Sequence, residues 1–439
     1  MNKKNETDKF DQISEKYHKF YKGKISSGIK VPIEKMDDFS IWYTPGVAEP
    51  CRKISEDGST SFKYTNRANR VAVISDGTRV LGLGNIGAEA GLPVMEGKSL
   101  LFKYLGGVDA YPLCIDAESS TEISDLAKRI SPTFGGINLE DIESPKCFEV
   151  LENLRKDLDI PVWHDDQQGT ALVSLAGLMG ATKLVGKKLK DLRVTVVGAG
   201  AAGLNIAKYV IKAGVKESNV TMVDSKGILS PSRDDLEKSS RKFKWAKRTN
   251  PESIAGDMKE ALAGSDACIA ASAPGPGVIK REDAAGMAED AILFATANPT
   301  PEITPAEAKK AGVKIVGTGR SDFPNQINNS LGFPAVFRGA LDVGATDITD
   351  EMCISAAQAI SERAEEKGLS EESIIPSMDD MEMYVQTSLR VAETAKDEGA
   401  ARRSLSKKKL EKKIRRKLTR PKQINQALRE SGLISRPPK

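Results

Sequence analysis

Gly198, Gly200 and Gly203 stand in G-x-G-x-x-G spacing within LRVTVVGAGAAGLNIAKYVIKAGVKESNVTMVDS, residues 192–225, and that spacing suits a phosphate-bearing ligand. A β-branched run, Arg193 to Val197, precedes the glycines, and an amphipathic segment from about Ala201 to Ala213 follows, so the order is strand, tight turn, helix. In such a unit the first glycine permits the turn, the second lets a pyrophosphate approach the backbone, and the third lets the helix pack on the strand. The phosphates rest on the N–H groups of the helix start, at Ala201. A second run, Val220 to Val223, ends in Asp224, about 20 residues beyond the last glycine, where a carboxylate holds the ribose diol of NAD. Ser225 and Lys226 follow directly and suit the 2′-phosphate of NADP, so either dinucleotide fits. Gly82, Gly84 and Gly87 repeat the spacing upstream after a plausible strand, Val71 to Ser75. There, SDGTR separates strand from glycines and no strand-ending acid follows, which reads as close backbone packing around a different site.

Two acidic pairs sit where short apolar strands run into helix starts: Glu140 and Asp141 in GGINLEDIESP, and Asp165 and Asp166 in IPVWHDDQQGTALV. Either pair alone reads as helix capping. Both together, upstream of a nucleotide turn, point to carboxylates converging on a hard cation such as Mg²⁺ or Mn²⁺. Lys98, in GLPVMEGKSLLFK, reads alone as an exposed helix lysine, although burial would suit it to work as a base. Tyr43 precedes the turn forced by Pro45 and Gly46; a phenol there is a packed or surface group unless its context makes it a proton donor. Asn298 in TANPTPE, and Asn328 and Asn329 in FPNQINNSLGFP, follow strand-like runs and suit either ligand contacts or turns and caps.

The elements that must carry these groups alternate between α and β. Strand-like Val71–Ser75, Tyr111–Ile115 and Thr133–Ile137 flank helical segments from about Glu89 to Tyr104 and Glu122 to Ile130; strand-like Ala267–Ala271, Ala291–Ala295 and Ala311–Gly317 follow the nucleotide turn. Glu6 to Tyr21 carries Phe10, Ile13, Tyr17 and Phe20 at helical spacing, which reads as a packing stripe, and residues after about Arg338 are helical to about Glu398. The expected fold is an N-terminal α/β catalytic domain, residues 1–165, and a Rossmann-type doubly wound parallel-sheet domain with its entry helix, 166–335. C-terminal helices, 336–398, cover them, and a solvated basic extension, 399–439, ends the chain.

At 439 residues and a net charge of +4, the composition is that of a globular protein of two or three domains. The N-terminus is polar with no apolar h-region, and the longest mostly apolar run, Thr170 to Thr182, is too short to span a bilayer, so a cytoplasmic protein without membrane partners is expected. Cys51, Cys114, Cys147, Cys268 and Cys353 show no C-x-x-C pairing, against both a disulfide framework and a zinc site. From Arg402 to Lys422 the chain is crowded with Lys and Arg, with Glu411 its single acid. No aromatics interleave for base stacking, so nucleic acid is not an expected partner.

Taken together, YTPGVAEPC, DGTRVLGLGNIG, PVMEGKSLLFK, NLEDI, HDDQQGTA, VVGAGAAG, ANPTPE and NQINN resemble the malic enzymes of the shorter prokaryotic type, in the family's order from Tyr43 to about Val343. The resemblance implies oxidative decarboxylation of L-malate to pyruvate and CO₂ with reduction of NAD or NADP, through oxaloacetate and enolpyruvate. It casts Tyr43 as general acid, Lys98 as general base and Asp165 as the residue that orients the lysine. Glu140, Asp141 and Asp166 become ligands of Mg²⁺ or Mn²⁺, Arg79 of DGTR a binder of a substrate carboxylate, and Asn298 and Asn329, with Asn328 beside them, neighbours of malate and nicotinamide. A homodimer or higher homo-oligomer is implied. Gln168 departs from the histidine that many short members carry after HDDQ, and the basic extension lies outside the resemblance. The rival readings are a malolactic-type enzyme that retains its NAD and releases lactate, and a non-catalytic nucleotide-sensing or nucleic-acid-binding protein that uses the basic extension. The last predicts salt-sensitive binding lost on truncation near Gly399, whereas an enzyme is expected to keep its activity.

Overall fold

Short, mostly apolar runs become two largely parallel sheets in the computed structural model, which describes residues 3–438. The first comprises β1 (Arg70–Ser75), β2 (Asp109–Cys114), β3 (Gly136–Leu139) and β4 (Val162–His164), in the order β2-β1-β3-β4. Val71 to Ile74 are fully buried, as a strand covered by helices on both faces requires. All its pairings are parallel, so the ends of β1, β3 and β4 emerge on one edge and carry Asp76, Glu140 and Asp165 there.

The second sheet comprises β5 (Val194–Val197), β6 (Val220–Asp224), β7 (Gly227–Ile228), β8 (Ala267–Ala270), β9 (Ile292–Ala295) and β10 (Ile315–Thr318), in the order β10-β9-β8-β5-β6-β7. Every pair is parallel except β6 with the short β7. The chain runs outward from β5 to β7 and returns to place β8 beside β5, which makes a topological switch point, where open α/β sheets bind their ligands. This is the expected doubly wound fold.

The Thr170–Leu184 helix joins the sheets and is buried nearly all round, which accounts for its unbroken apolar run. Among the described residues no helix is long and apolar enough to cross a membrane. The helices after the second sheet return to the first. Phe333 and Phe337, on the wholly buried Phe333–Val343 helix, pack 4.6 and 5.2 Å from Phe102 of the Ala88–Gly106 helix. Each such buried ring contributes about 1.5–3 kcal/mol. One core therefore joins the helix that carries Lys98 to the C-terminal helices.

Four expectations are corrected. The strand placed at Thr133–Ile137 is shifted to Gly136–Leu139, because Ser131–Thr133 turns about Pro132; that placed at Ala311–Gly317 is shifted to Ile315–Thr318, because Ala311 closes the Pro305–Lys310 helix. Phe10 and Phe20 are exposed while Ile13 and Tyr17 are half-buried, so the N-terminal stripe is only partly packed within this chain. The basic extension is not solvated all round: Lys407–Glu430 is a helix that buries Leu410, Ile414, Leu418 and Pro421.

Candidate active site

A single cleft of about 1520 Å³ runs from the carboxyl edge of the first sheet to the switch point of the second. At the second sheet, Gly198 has φ +105° and a Cβ on it would strike the carbonyl of Ala271, while a Cβ on Gly203 would strike the carbonyl of Gly198. A Cβ on Gly200 would meet nothing within 4 Å, so the open space that a pyrophosphate needs lies at that residue. Gly200 also caps the Ala201–Lys212 helix without a side-chain hydrogen bond, leaving the first N–H groups of that helix for an anion.

Asp224, Ser225 and Lys226 line the same cleft, but the Asp224 carboxylate is already engaged. Arg233 donates to it at 2.8 and 3.3 Å, Lys242 at 2.8 Å, and the Lys226 N–H at 3.0 Å. Burial pushes its pKa up, but these donors outweigh that and hold it below the ordinary value. Neither cation was identified from the sequence, because both lie in a polar loop and on a separate helix.

At the first sheet, the chain after β4 makes a π-helical turn, Asp165–Gly169, of the kind that collects at functional sites. Gly169 is required there, since a Cβ would collide with the carboxylate of Asp165. That carboxylate is fully buried and accepts from Trp163 Nε1 at 3.0 Å, from Asn329 Nδ2 at 3.1 Å and from Lys98. Lys98 also pairs with Glu140 at 2.9 Å and lies over the Phe333 ring, 4.2 Å from its centroid. Burial works against its charge, but Asp165 and Glu140 outweigh it, so the ammonium titrates above its ordinary range. Its side chain is only 10% exposed, which corrects the reading of Lys98 alone as an exposed helix lysine.

Glu140, Asp141 and Asp166 bring one oxygen each within 4.8 Å of one another. Asp141 has positive φ, 54°, and Oδ2 of Asp141 is buried without a hydrogen-bond partner. Burial, then the charge of Asp166, pushes Asp141 up to about 8, and burial also raises Glu140 well above its usual range. Crowded carboxylates with an orphaned buried oxygen fit a hard divalent cation. The donor set therefore suits Mg²⁺ or Mn²⁺.

Arg79, Asn298, Asn328 and Asn329 also line the cleft. Asn328 behaves as a cap, accepting from the Ser330 N–H at 3.0 Å and donating to Gly319 O at 3.2 Å. Gln168 faces away from the cleft: it is buried, accepts from the His164 N–H at 3.0 Å and lies 3.9 Å from Cys353 Sγ, so it fastens the π-helical turn from behind. In the upstream glycine triplet, a Cβ on Gly82 would come within 2.7 Å of Asn298 O and 3.1 Å of Pro274, so its loop packs against the mouth of the second sheet.

Tyr43 is the exception. It ends the Phe39–Trp42 helix, 70% exposed, and is absent from the cleft lining, with Phe39, Ile41 and Trp42 exposed around it.

The chain matches two family models, "Malic enzyme, N-terminal domain" over residues 22–127 and "Malic enzyme, NAD binding domain" over residues 167–396. It is 48% identical to the NAD-dependent malic enzyme of Geobacillus stearothermophilus, over 87% of this chain and 78% of that protein. It is 46% identical to the bifunctional malic/malolactic enzyme of Bacillus subtilis, over 91% and 96%. Among solved structures, the Entamoeba histolytica malic enzyme superposes with a TM-score of 0.95 at 43% identity, covering 98% of this chain and 90% of that one. The malic enzyme of Pyrococcus horikoshii gives 0.88 at 51%, covering 93% and 95%.

Proposed function

This chain belongs to the malic enzyme family, and from that premise we propose how its cleft carries out the family's reaction, the oxidative decarboxylation of L-malate to pyruvate and CO₂ with reduction of NAD or NADP. The observation that carries the reading is the convergence of Lys98, Glu140, Asp141, Asp165 and Asp166 at one end of a cleft whose other end is an open glycine turn. We assign most of the malate and acidic centre to residues 1–165 and dinucleotide binding to residues 166–335, which also lend Asp166, Asn298 and Asn329 to the centre, with residues 336–398 bracing both.

Lys98 is the base. It takes the C2 hydroxyl proton as hydride passes from C2 to the nicotinamide, which requires that Glu140, one of the two acids holding the amine protonated in this arrangement, be drawn from it as cation ligation would do, while Asp165 holds the amine in place. Arg79 binds a carboxylate of malate, and Asn298 and Asn329 border malate and nicotinamide. Glu140, Asp141 and Asp166 would hold a divalent cation, which when bound supplies Lewis-acid stabilisation of the negative charge that develops as CO₂ leaves.

Tyr43 is the acid that protonates C3 of enolpyruvate, and its position supports a further reading. The phenol serves the cleft of a second copy, and the exposed Phe39, Ile41 and Trp42 form part of the contact between copies. A homodimer is thus the smallest working unit, and we place it in the cytoplasm.

Assay of L-malate with NAD or NADP, with and without Mn²⁺, followed by product analysis, tests the reading. Metal-dependent reduction with matching pyruvate is expected. Lactate without accumulation of reduced dinucleotide would replace it with the malolactic reaction.

A further inference from the structure

Glu302 lies outside the cleft lining and outside every role assigned above, yet it is 0% exposed and carries a carboxylate. Among the described residues no lysine, arginine or histidine forms an ion pair with it, which is unusual for a buried acid. Its partners are backbone groups instead. Oε1 accepts from the N–H of Ser272 at 2.8 Å and from its hydroxyl at 3.2 Å, and Oε2 accepts from the N–H of Ala297 at 3.1 Å. Its own carbonyl accepts from the N–H groups of Gly277 and Ile279 at 3.1 and 3.2 Å.

Ser272 follows β8 and Ala297 follows β9, so the carboxylate bridges the loops at two neighbouring strand ends. Both loops line the cleft, through Ser272, Ala273 and Pro274 on one and Ala297 and Asn298 on the other. The first loop contains Gly275 and Gly277 with φ of +144° and +105°, a backbone that has little stiffness of its own. Asp224, at the end of β6, marks where the adenosine half of the dinucleotide lies, so the loops after β8 and β9, across the switch point, receive its other half. Gly82 from the first sheet's domain packs on this same pair of loops so closely that a Cβ on it would come within 2.7 Å of Asn298 O and 3.1 Å of Pro274.

We infer that Glu302 is a positioning residue for the dinucleotide: its carboxylate staples the loop after β8 to the loop after β9 and so shapes the half of the cleft beyond the pyrophosphate. Two acceptor oxygens are needed, because each loop offers a main-chain donor. Glutamine keeps the shape but turns an NH₂ towards one of those donors, and alanine removes both acceptors. The inference rests on the dinucleotide reading above and not on the identity of the hydroxy acid.

The test measures binding of NADH to the full-length protein by fluorescence, with E302Q and E302A beside wild type, and compares two activities in the same samples. Dinucleotide-dependent malate oxidation needs the stapled loops, whereas metal-dependent decarboxylation of added oxaloacetate needs only the acidic end of the cleft. A rise of about tenfold in the NADH Kd and in the dinucleotide KM is expected for E302Q, with oxaloacetate decarboxylation within about twofold of wild type. Unchanged NADH binding in folded E302Q and E302A would overturn the proposal, as would parallel loss of both activities. E302Q keeps the volume of the side chain and so remains informative if E302A does not fold. NADH binding by wild type without malate turnover would count against the proposed reaction alone.

Discussion

Nζ of Lys98 lies 2.9 Å from Oε1 of Glu140, so the proposed base and a proposed metal ligand are in direct contact within a buried site. Glu140 cannot give the same oxygen fully to the lysine and to a cation. The Lys98→Ala enzyme should lose malate oxidation by about 10²–10⁴-fold in kcat, the usual range for a general base. Steady-state rates beside a melting curve make the check, because the substitution also leaves Asp165 and Glu140 buried without their cation.

Protonation of the acidic cluster predicts how the metal-stripped protein responds to pH. Asp141 titrates at about 8 when folded, above its ordinary carboxylate range, because burial and the charge of Asp166 oppose ionisation. Between about pH 4 and 8 the folded state therefore holds a proton that the unfolded state releases, so this group's contribution to stability falls as pH rises, by at most ~1.4 kcal/mol per pH unit. Mn²⁺ or Mg²⁺ should bind more tightly over the same rise and flatten the slope. Melting temperatures of chelated protein from about pH 5 to 8, with Asp141→Asn as the control that lacks the group, measure the effect.

Tyr43 and Lys98 give a test of the shared site that neither variant gives alone. Y43F and K98A homodimers should each be inactive in malate turnover. Dissociated and reassociated together, half of the dimers should be mixed and carry one intact site, restoring about a quarter of wild-type activity. No recovery in verified mixed dimers would place the phenol in its own chain's cleft.

The glycine turn was legible because its constraints are local: strand, turn and helix lie within residues 194–212, and Gly198 and Gly203 have no room for a side chain. The acids at the ends of β3 and β4 were legible as a set because parallel strands bring such ends together. Arg233, Lys242 and Glu302 were not, since each is recognised only by the group it meets after folding: Asp224 for the two cations, and two loop N–H groups for the acid. The C-terminal helix left a readable signal, Leu410, Ile414, Leu418 and Pro421 at helical spacing, beneath the charge that dominates its composition.

Dinucleotide preference turns on the cluster around Asp224. Lys242 and Arg233 occupy its carboxylate and bring positive charge to the place where a 2′-phosphate would lie. Lys242→Ala should lower kcat/KM with NADP by about tenfold while changing that with NAD less, since a charge-assisted contact to phosphate is worth roughly 1.5–3 kcal/mol. The ratio of the two values, measured in one enzyme preparation, is the quantity to compare.

The Lys407–Glu430 helix should be needed for full stability and activity, contrary to what its composition suggests. Lys413 and Lys417 reach Asp342 at 3.1 and 2.7 Å, where Asp342 already pairs with the buried Arg338. A Cβ on Gly107, which ends the Lys98 helix, would collide with the carbonyl of Lys417, so the two helices touch at the backbone. Removing the chain after Leu405 uncovers that contact and takes Lys413 and Lys417 from Asp342, leaving it Arg338, and it should lower both the melting temperature and malate turnover. Ile414→Ala is the milder version, costing about 2–5 kcal/mol. Burial and the neighbouring Arg338 lower Lys417 to about 7, below its ordinary value, against the pull of Asp342. The unfolded chain thus binds the extra proton between about pH 7 and 10, and this contact gains stability as pH rises through that window, opposite in sign to the acidic cluster. Lys417→Met should remove that gain, and a melting temperature that rises equally with pH in both proteins would exclude Lys417 as its source.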